Sequence, residues 1–217
     1  MKKLASYIDY TFLKSDGEKG AITKLCRIAK KHGYKTVCVN PAEVANAKKL
    51  LKNSKVKVCT VIDFPLGQAT SNTRENEAML AIKQGAEELD LVINQRLLKY
   101  DKSACEEDLE NWVRWCRGCV DYYKKRNVTL KLIIECCNLT DEEKICACKM
   151  AKKAGFDFVK TSTGFGKGGA TVEDVKLMRK AVGSKMGVKA AGGIRDKETA
   201  LKMIKAGATR IGTSSEL

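Results

Sequence analysis

Short apolar or β-branched segments recur along the chain, with amphipathic stretches of helical spacing between them. The pattern predicts strands over residues 7–12, 36–40, 56–63, 89–94, 129–135, 156–162, 186–190 and 210–213. Helices are predicted over residues 18–32, 41–52, 70–84, 141–153, 171–181 and 197–206, with a further helical stretch over 106–125. Four of the helices run into glycine, at His32-Gly33, Gln84-Gly85, Ala154-Gly155 and Ala206-Gly207, where a left-handed cap suits a residue without a Cβ. The repeating unit is thus a helix, a glycine cap and a parallel strand. Eight strands with seven helical connections predict a (β/α)8 barrel, the α/β fold of the TIM type, as a single domain over residues 1–217. An open doubly wound sheet is the alternative, but no strand is followed by a Gly-x-Gly-x-x-Gly fingerprint. Only two prolines are available to mark a linker, and no low-complexity segment interrupts the alternation.

Charge modifies this picture only slightly. The 217 residues carry a net charge of +15, from 41 Lys+Arg against 26 Asp+Glu. The lysines scatter as pairs over many helices (Lys30-Lys31, Lys48-Lys49, Lys124-Lys125, Lys152-Lys153) without a basic stripe or interleaved aromatics. That argues for a solvated surface and against a nucleic-acid partner, while a positive field would speed the arrival of an anionic substrate. Ten cysteines include Trp115-Cys116-Arg117-Gly118-Cys119, adjacent Cys136-Cys137 and the pair Cys146 and Cys148. The first pair falls inside a helical stretch rather than at a strand-to-helix junction, so free thiols in a reducing compartment are expected rather than a redox pair or zinc ligands. Asp9 interrupts the one apolar stretch near the N-terminus, and no apolar run is long enough to span a bilayer. A cytoplasmic protein without a membrane partner is the expectation. His32, the sole histidine, stands at a helix end, where it is expected to meet the last carbonyls.

The candidate chemistry sits at strand ends. Lys160 closes the run Phe156-Asp157-Phe158-Val159-Lys160, and Lys189 closes Met186-Gly187-Val188-Lys189. An ammonium group taken from water without a partner is strongly disfavoured, and two in one cavity would push one amine towards its neutral, nucleophilic form. That is Schiff-base chemistry. In a (β/α)8 barrel the active site lies at the C-terminal ends of the strands, where this chain places Asp9, Asn40, Asp63, Asp90, Asn94, Glu135 and the run Thr213-Ser214-Ser215. Alternation predicts Asp90, Val92 and Asn94 on one face of the fourth strand, and Phe158, Lys160 and Ser162 together on the sixth. Gly192-Gly193 after the seventh strand and Gly212-Thr213-Ser214-Ser215 after the eighth have the character of phosphate-binding loops, and the segment from Gly164 to Gly169 adds further amides and Lys167.

Several of these segments resemble 2-deoxyribose-5-phosphate aldolases. They are Val159-Lys160-Thr161-Ser162-Thr163-Gly164-Phe165, Val188-Lys189-Ala190-Ala191-Gly192-Gly193-Ile194-Arg195, Ile211-Gly212-Thr213-Ser214-Ser215, Ile8-Asp9-Tyr10-Thr11-Phe12-Leu13-Lys14, Phe64-Pro65-Leu66-Gly67 and the stretch from Gly85 to Asn94. The resemblance runs in order over essentially the whole chain. It implies a class I aldolase with no metal and no cofactor, cleaving 2-deoxy-D-ribose 5-phosphate reversibly to D-glyceraldehyde 3-phosphate and acetaldehyde. By motif position, Lys160 matches the Schiff-base lysine, Lys189 the second lysine and Asp90 the proton-relay aspartate. Gly192, Gly193, Ser214 and Ser215 match phosphate-binding positions, with Gly164 and Gly212 beside them. Asp9 and Asn94 are expected to hold hydroxyls or the lysine network. The resemblance further implies a homodimer. Tyr10 stands where the family usually has histidine, Asp63 where it has glycine and Ala191 where serine is commoner; Asp63 is expected to add a charge near the barrel mouth. The family continues past the position of Ser215 into a last helical segment and a tail, whereas this sequence reaches Leu217. Two other readings stay open: another Schiff-base sugar-phosphate aldolase or transaldolase, and a catalytically silent basic barrel that binds phosphometabolites or nucleic acid in a salt-dependent way.

Overall fold

The computed structural model describes residues 3–122 and 127–217. The pair Lys124-Lys125 and the end of the helical stretch predicted over 106–125 lie outside the described residues. Eight strands, β1 (Ile8–Phe12), β2 (Thr36–Val39), β3 (Lys57–Ile62), β4 (Glu88–Val92), β5 (Thr129–Ile133), β6 (Phe158–Lys160), β7 (Gly187–Ala191) and β8 (Arg210–Thr213), pair in sequence order. All pairings are parallel, and β8 closes on β1 through Ile8 opposite Ile211 and Tyr10 opposite Thr213. The helices are α1 (Ala21–His32), α2 (Val44–Leu50), α3 (Ser71–Gln84), α4 (Gln95–Tyr100), α5 (Lys102–Tyr122), α6 (Asp141–Ala154), α7 (Val172–Val182) and α8 (Lys197–Ala206). The predicted (β/α)8 barrel is therefore observed, with two consecutive helices, α4 and α5, between β4 and β5.

Local chemistry sets the boundaries. Gly33, Gly85, Gly155 and Gly207 end α1, α3, α6 and α8 at φ of 65°, 111°, 92° and 116°, as the four glycines predicted. Thr140 and Glu143 form a reciprocal capping box at the start of α6. Thr70, Thr171 and Asp196 cap α3, α7 and α8 with side-chain oxygens. Strands β2 to β6 stop earlier at their C-terminal ends than the apolar pattern suggests, while β1 and β8 end as predicted and β7 runs one residue further, to Ala191. Asp63 and Glu135 turn left-handed, at φ of 52° and 54°, and break the ladders of β3 and β5. Asn94 leaves β4 altogether: its Oδ1 accepts the Leu97 N–H at 3.1 Å and caps α4. Residues 41–43 form a 3-10 turn before α2, and Gly20 at φ 87° delays the start of α1 to Ala21.

Alternation along the strands divides the interior into two environments. One face, including Val37, Val39, Leu89, Leu91, Leu130, Leu132, Val188 and Ile211, packs into the large apolar shell shared with the helices. The other face points into the barrel and is mostly polar: Asp9, Glu88, Asp90, Lys131, Lys160, Lys189 and Arg210 are all buried there. A small apolar cluster of Leu13, Cys38, Cys59 and Val61 shares that lumen. Burying a charge costs several kcal/mol even after relaxation, on the order of the stability of a whole domain when summed, unless each charge is paired. Four cations and three carboxylates make that pairing here.

Candidate active site

Asp90, central on β4, is the hub. Its Oδ2 accepts from the Lys160 Nζ at 2.9 Å and from the Lys189 Nζ at 2.8 Å, so the two lysines predicted to face one cavity share a single carboxylate oxygen. Its Oδ1 accepts from the Lys131 Nζ at 2.7 Å and from the Cys59 thiol at 3.2 Å. Lys189 has a second anion, Asp9 Oδ2 at 2.6 Å. Lys131 has Glu88 Oε2 at 2.7 Å. Arg210 ties the far side together, donating to Asp9 Oδ1 at 2.7 Å and to Glu88 Oε2 at 2.8 Å while its guanidinium lies over the Phe158 ring. Of the three lumen lysines, Lys160 alone has a single carboxylate partner, and it lines the open cleft together with Lys189.

These pairings set protonation. Burial by itself would raise the carboxyl of Asp90, but the ammonium groups of Lys131, Lys160 and Lys189 outweigh it and hold Asp90 well below the usual carboxylate range. Asp9 is lowered in the same way, with Lys189 and Arg210 overcoming burial. Burial opposes the charges of Lys189 and Lys131, yet Asp9 and Asp90 raise the first, and Asp90 and Glu88 raise the second, above the ordinary lysine value. Lys189 and Lys131 are therefore fixed as ammonium ions. Lys160 differs from both in having Asp90 alone as its anion.

Above Lys160 and Lys189 opens a cleft of about 330 Å³ at the C-terminal ends of the strands. Its walls include Gly164, Gly192, Gly193, Gly212 and Ser214, with the cations of Lys14 and Arg195 at the rim. Gly192 and Gly193 have positive φ in succession, 90° and 78°, backbone that residues with a Cβ rarely adopt. The loops after β6 and β7 touch: the Ala170 N–H donates to the Gly192 carbonyl at 3.0 Å, and a Cβ on Gly169 would stand 2.3 Å from that oxygen. Gly212 makes room for the second lysine, since a Cβ there would meet Lys189 Cε at 3.2 Å and Ala191 Cβ at 2.9 Å. Glu135 organises the β6 loop by accepting from the Thr163 hydroxyl, and Thr163 Oγ1 in turn accepts the Phe165 N–H at 3.0 Å.

The expected residues thus fall into groups. Lys160, Lys189, Asp90 and Asp9 come together, and Gly164, Gly192, Gly193, Gly212 and Ser214 line the cleft above them. Ser215 follows Ser214 with its N–H on Thr213 Oγ1 at 3.0 Å. Asn94 stands apart from the lysines as the α4 cap, and Gln68 donates to its Oδ1 at 3.1 Å. Asp63 does not add a free charge at the mouth: it is buried, accepts the Ala69 N–H at 2.9 Å, and burial raises its carboxyl pKa. Tyr10 packs beside the Tyr34 ring, 5.5 Å between centroids. His32 meets Glu216 Oε1 at 2.7 Å rather than the last carbonyls of α1, because its ring stacks on Tyr34 and turns that way. All ten cysteines are free, and burial pushes the Cys116 thiol up, which fits the helical, non-redox placement. Lys131, Glu88 and Arg210 are the parts that sequence reading missed. The signal for the first was present, a lysine flanked by Leu130 and Leu132 inside a strand that should be buried on both faces.

Residues 3–214 match the family described as DeoC/LacD family aldolase. A protein of Carboxydothermus hydrogenoformans named deoxyribose-phosphate aldolase is 53% identical over 214 residues, covering 98% of this chain and 92% of its own. One of the same name from Clostridium perfringens strain SM101 is 52% identical over 216 residues, covering 100% and 93%. The solved deoxyribose phosphate aldolase of Aeropyrum pernix, described as a unique tetrameric structure, superposes with a TM-score of 0.89 at 32% identity, covering 98% of this chain and 87% of that one. With a family match from end to end and relatives above half identity, the chain belongs to the DeoC/LacD family of aldolases.

Proposed function

We propose that the protein is a deoxyribose-phosphate aldolase, cleaving 2-deoxy-D-ribose 5-phosphate reversibly to D-glyceraldehyde 3-phosphate and acetaldehyde in deoxyribonucleoside catabolism. The observation that carries this reading is the pair of lysines on one oxygen of Asp90, both lining the cleft, with Lys160 paired to Asp90 alone and Lys189 held as an ammonium ion by Asp9 as well. Neutral Lys160 adds to the C1 aldehyde of the open-chain sugar, and loss of water gives an iminium ion. The iminium draws the electron pair of the C2–C3 bond as the C3 hydroxyl loses its proton, through a water ordered by Asp90 and Lys189. Glyceraldehyde 3-phosphate leaves; the enamine is protonated at C2, and hydrolysis releases acetaldehyde and returns the amine. The phosphate is held at Gly192, Gly193, Ser214 and Ser215 by backbone amides and hydroxyls, with Lys14 and Arg195 supplying charge at the rim.

A coupled assay for glyceraldehyde 3-phosphate tests the reading. Activity on 2-deoxyribose 5-phosphate that vanishes in Lys160→Ala is the expected result; activity on a ketose phosphate instead would move the assignment to another Schiff-base aldolase or transaldolase. The finer assembly belongs to the same proposal. A homodimer predicts twice the 23.9 kDa chain mass in sedimentation, and a tetramer would replace it. No helix among the described residues is long and apolar enough to cross a membrane, and a cytoplasmic location is proposed with the activity.

A further inference from the structure

Next to the catalytic hub lies a second set of groups that aldol chemistry does not use. Cys38 on β2 and Cys59 on β3 are register partners, both fully buried, and both face the lumen with Leu13 and Val61. The Cys59 Sγ stands 3.2 Å from Asp90 Oδ1 and 3.4 Å from Lys131 Nζ. The two sulfurs and an oxygen of Asp90 all lie within 4.8 Å of one another. Among the described residues, the other such grouping, Asp9, Cys59 and Glu88, shares Cys59 and is continuous with it.

We propose that Cys38, Cys59 and Asp90 form a site for one thiophilic divalent cation of the zinc class, and that filling it switches off the enzyme. Tetrahedral zinc at about 2.3 Å from sulfur and about 2.0–2.2 Å from oxygen keeps its donor atoms roughly 3.5–3.8 Å apart, inside the 4.8 Å within which these three atoms lie. The neighbourhood is cationic, which opposes a free metal ion, but binding is an exchange. One M²⁺ enters as two thiol protons leave, so the four cations and three carboxylates around it see no change in total charge. The metal takes the place of the Cys59 thiol proton on Asp90 Oδ1. Lys131 loses that oxygen and keeps Glu88 Oε2 at 2.7 Å, and Glu88 Oε1, buried without a hydrogen-bond donor, is free to receive it more fully. Asp90, with its charge drawn to the metal, no longer relays the proton between Lys160 and Lys189. The inhibitory half of the proposal rests on the aldolase reading; the binding half does not.

Cadmium is the probe, because its thiolate complexes absorb in the ultraviolet independently of any turnover. Titration of the reduced wild-type chain with Cd²⁺ is expected to give one tight equivalent with a thiolate band and release of two protons. The residual rate falls to near zero at that same equivalent, and a chelator restores it. Cys38→Ala and Cys59→Ser each lose the band and the inhibition, whereas Cys137→Ala, which removes an exposed thiol, keeps both. Circular dichroism identifies any variant that fails to fold, and the other lumen variant then carries the test. A band and an inhibition that survive in both lumen variants, or that vanish in Cys137→Ala, would overturn the proposal. A band lost as expected in a protein that never cleaves the sugar phosphate would leave the site intact and sink only the aldolase reading.

Discussion

At the residue scale, each buried charge has a job that its partners define. Glu88 balances both Lys131 and Arg210, at 2.7 and 2.8 Å, and touches nothing in the cleft. Glu88→Ala would leave two cations short of an anion, which costs about 3–5 kcal/mol for a broken buried pair; urea unfolding should show that loss, and an unchanged midpoint would contradict the pairing. Gly212 has a different task. Gly212→Ala places a methyl 3.2 Å from Lys189 Cε, so kcat should fall several-fold with little change in the affinity for inorganic phosphate. An unaltered kcat would mean that Lys189 has room to move. Lys160 and Lys189 were legible in the sequence because each is a charge in an apolar run where it does not belong, Lys160 at the end of β6 and Lys189 in the middle of β7. Lys131 sits in the middle of its strand, and Glu88, which it shares with Arg210, lies on a strand remote in sequence from both, so nothing local showed that the three meet.

At the scale of the element, start and stop signals were the readable part. Glycines at helix ends gave four correct boundaries because a left-handed residue without a Cβ has few other uses there. The C-terminal ends of β3 and β5 were not readable. There the chain turns left-handed at Asp63 and Glu135, a change of backbone that a period-two pattern does not register, and the apolar pattern simply runs on. Glu135 holds that geometry while fixing Thr163 and the β6 loop. At the start of α6, the capping box of Thr140 and Glu143 satisfies backbone N–H groups of the helix itself. Thr140→Ala should cost about 1 kcal/mol of stability with catalysis intact; a matching loss of kcat would show that the start of α6 is coupled to the cleft.

For the whole molecule, the lumen ties activity and stability to one charge network. Asp9 and Asp90 have folded pKa values below the ordinary 3.8, so the stability they contribute is present above that value and is lost as pH falls through their folded values. Lys131 and Lys189 are raised above 10.5, so their contribution is complete below that pH and fades only at more alkaline values. Unfolding free energy measured against pH should therefore show these four groups giving no loss between neutrality and pH 10, and a fall that steepens below about pH 4. A steep decline already at pH 6 would place the carboxylates outside such a network. The central claim is that Lys160, and not Lys189, is the nucleophile. Peptide mass spectrometry after borohydride reduction in the presence of acetaldehyde tests it most directly. A reduced two-carbon adduct on Lys160, absent in Lys160→Ala, is the predicted result. An adduct on Lys189, or a folded protein with no adduct, would contradict it.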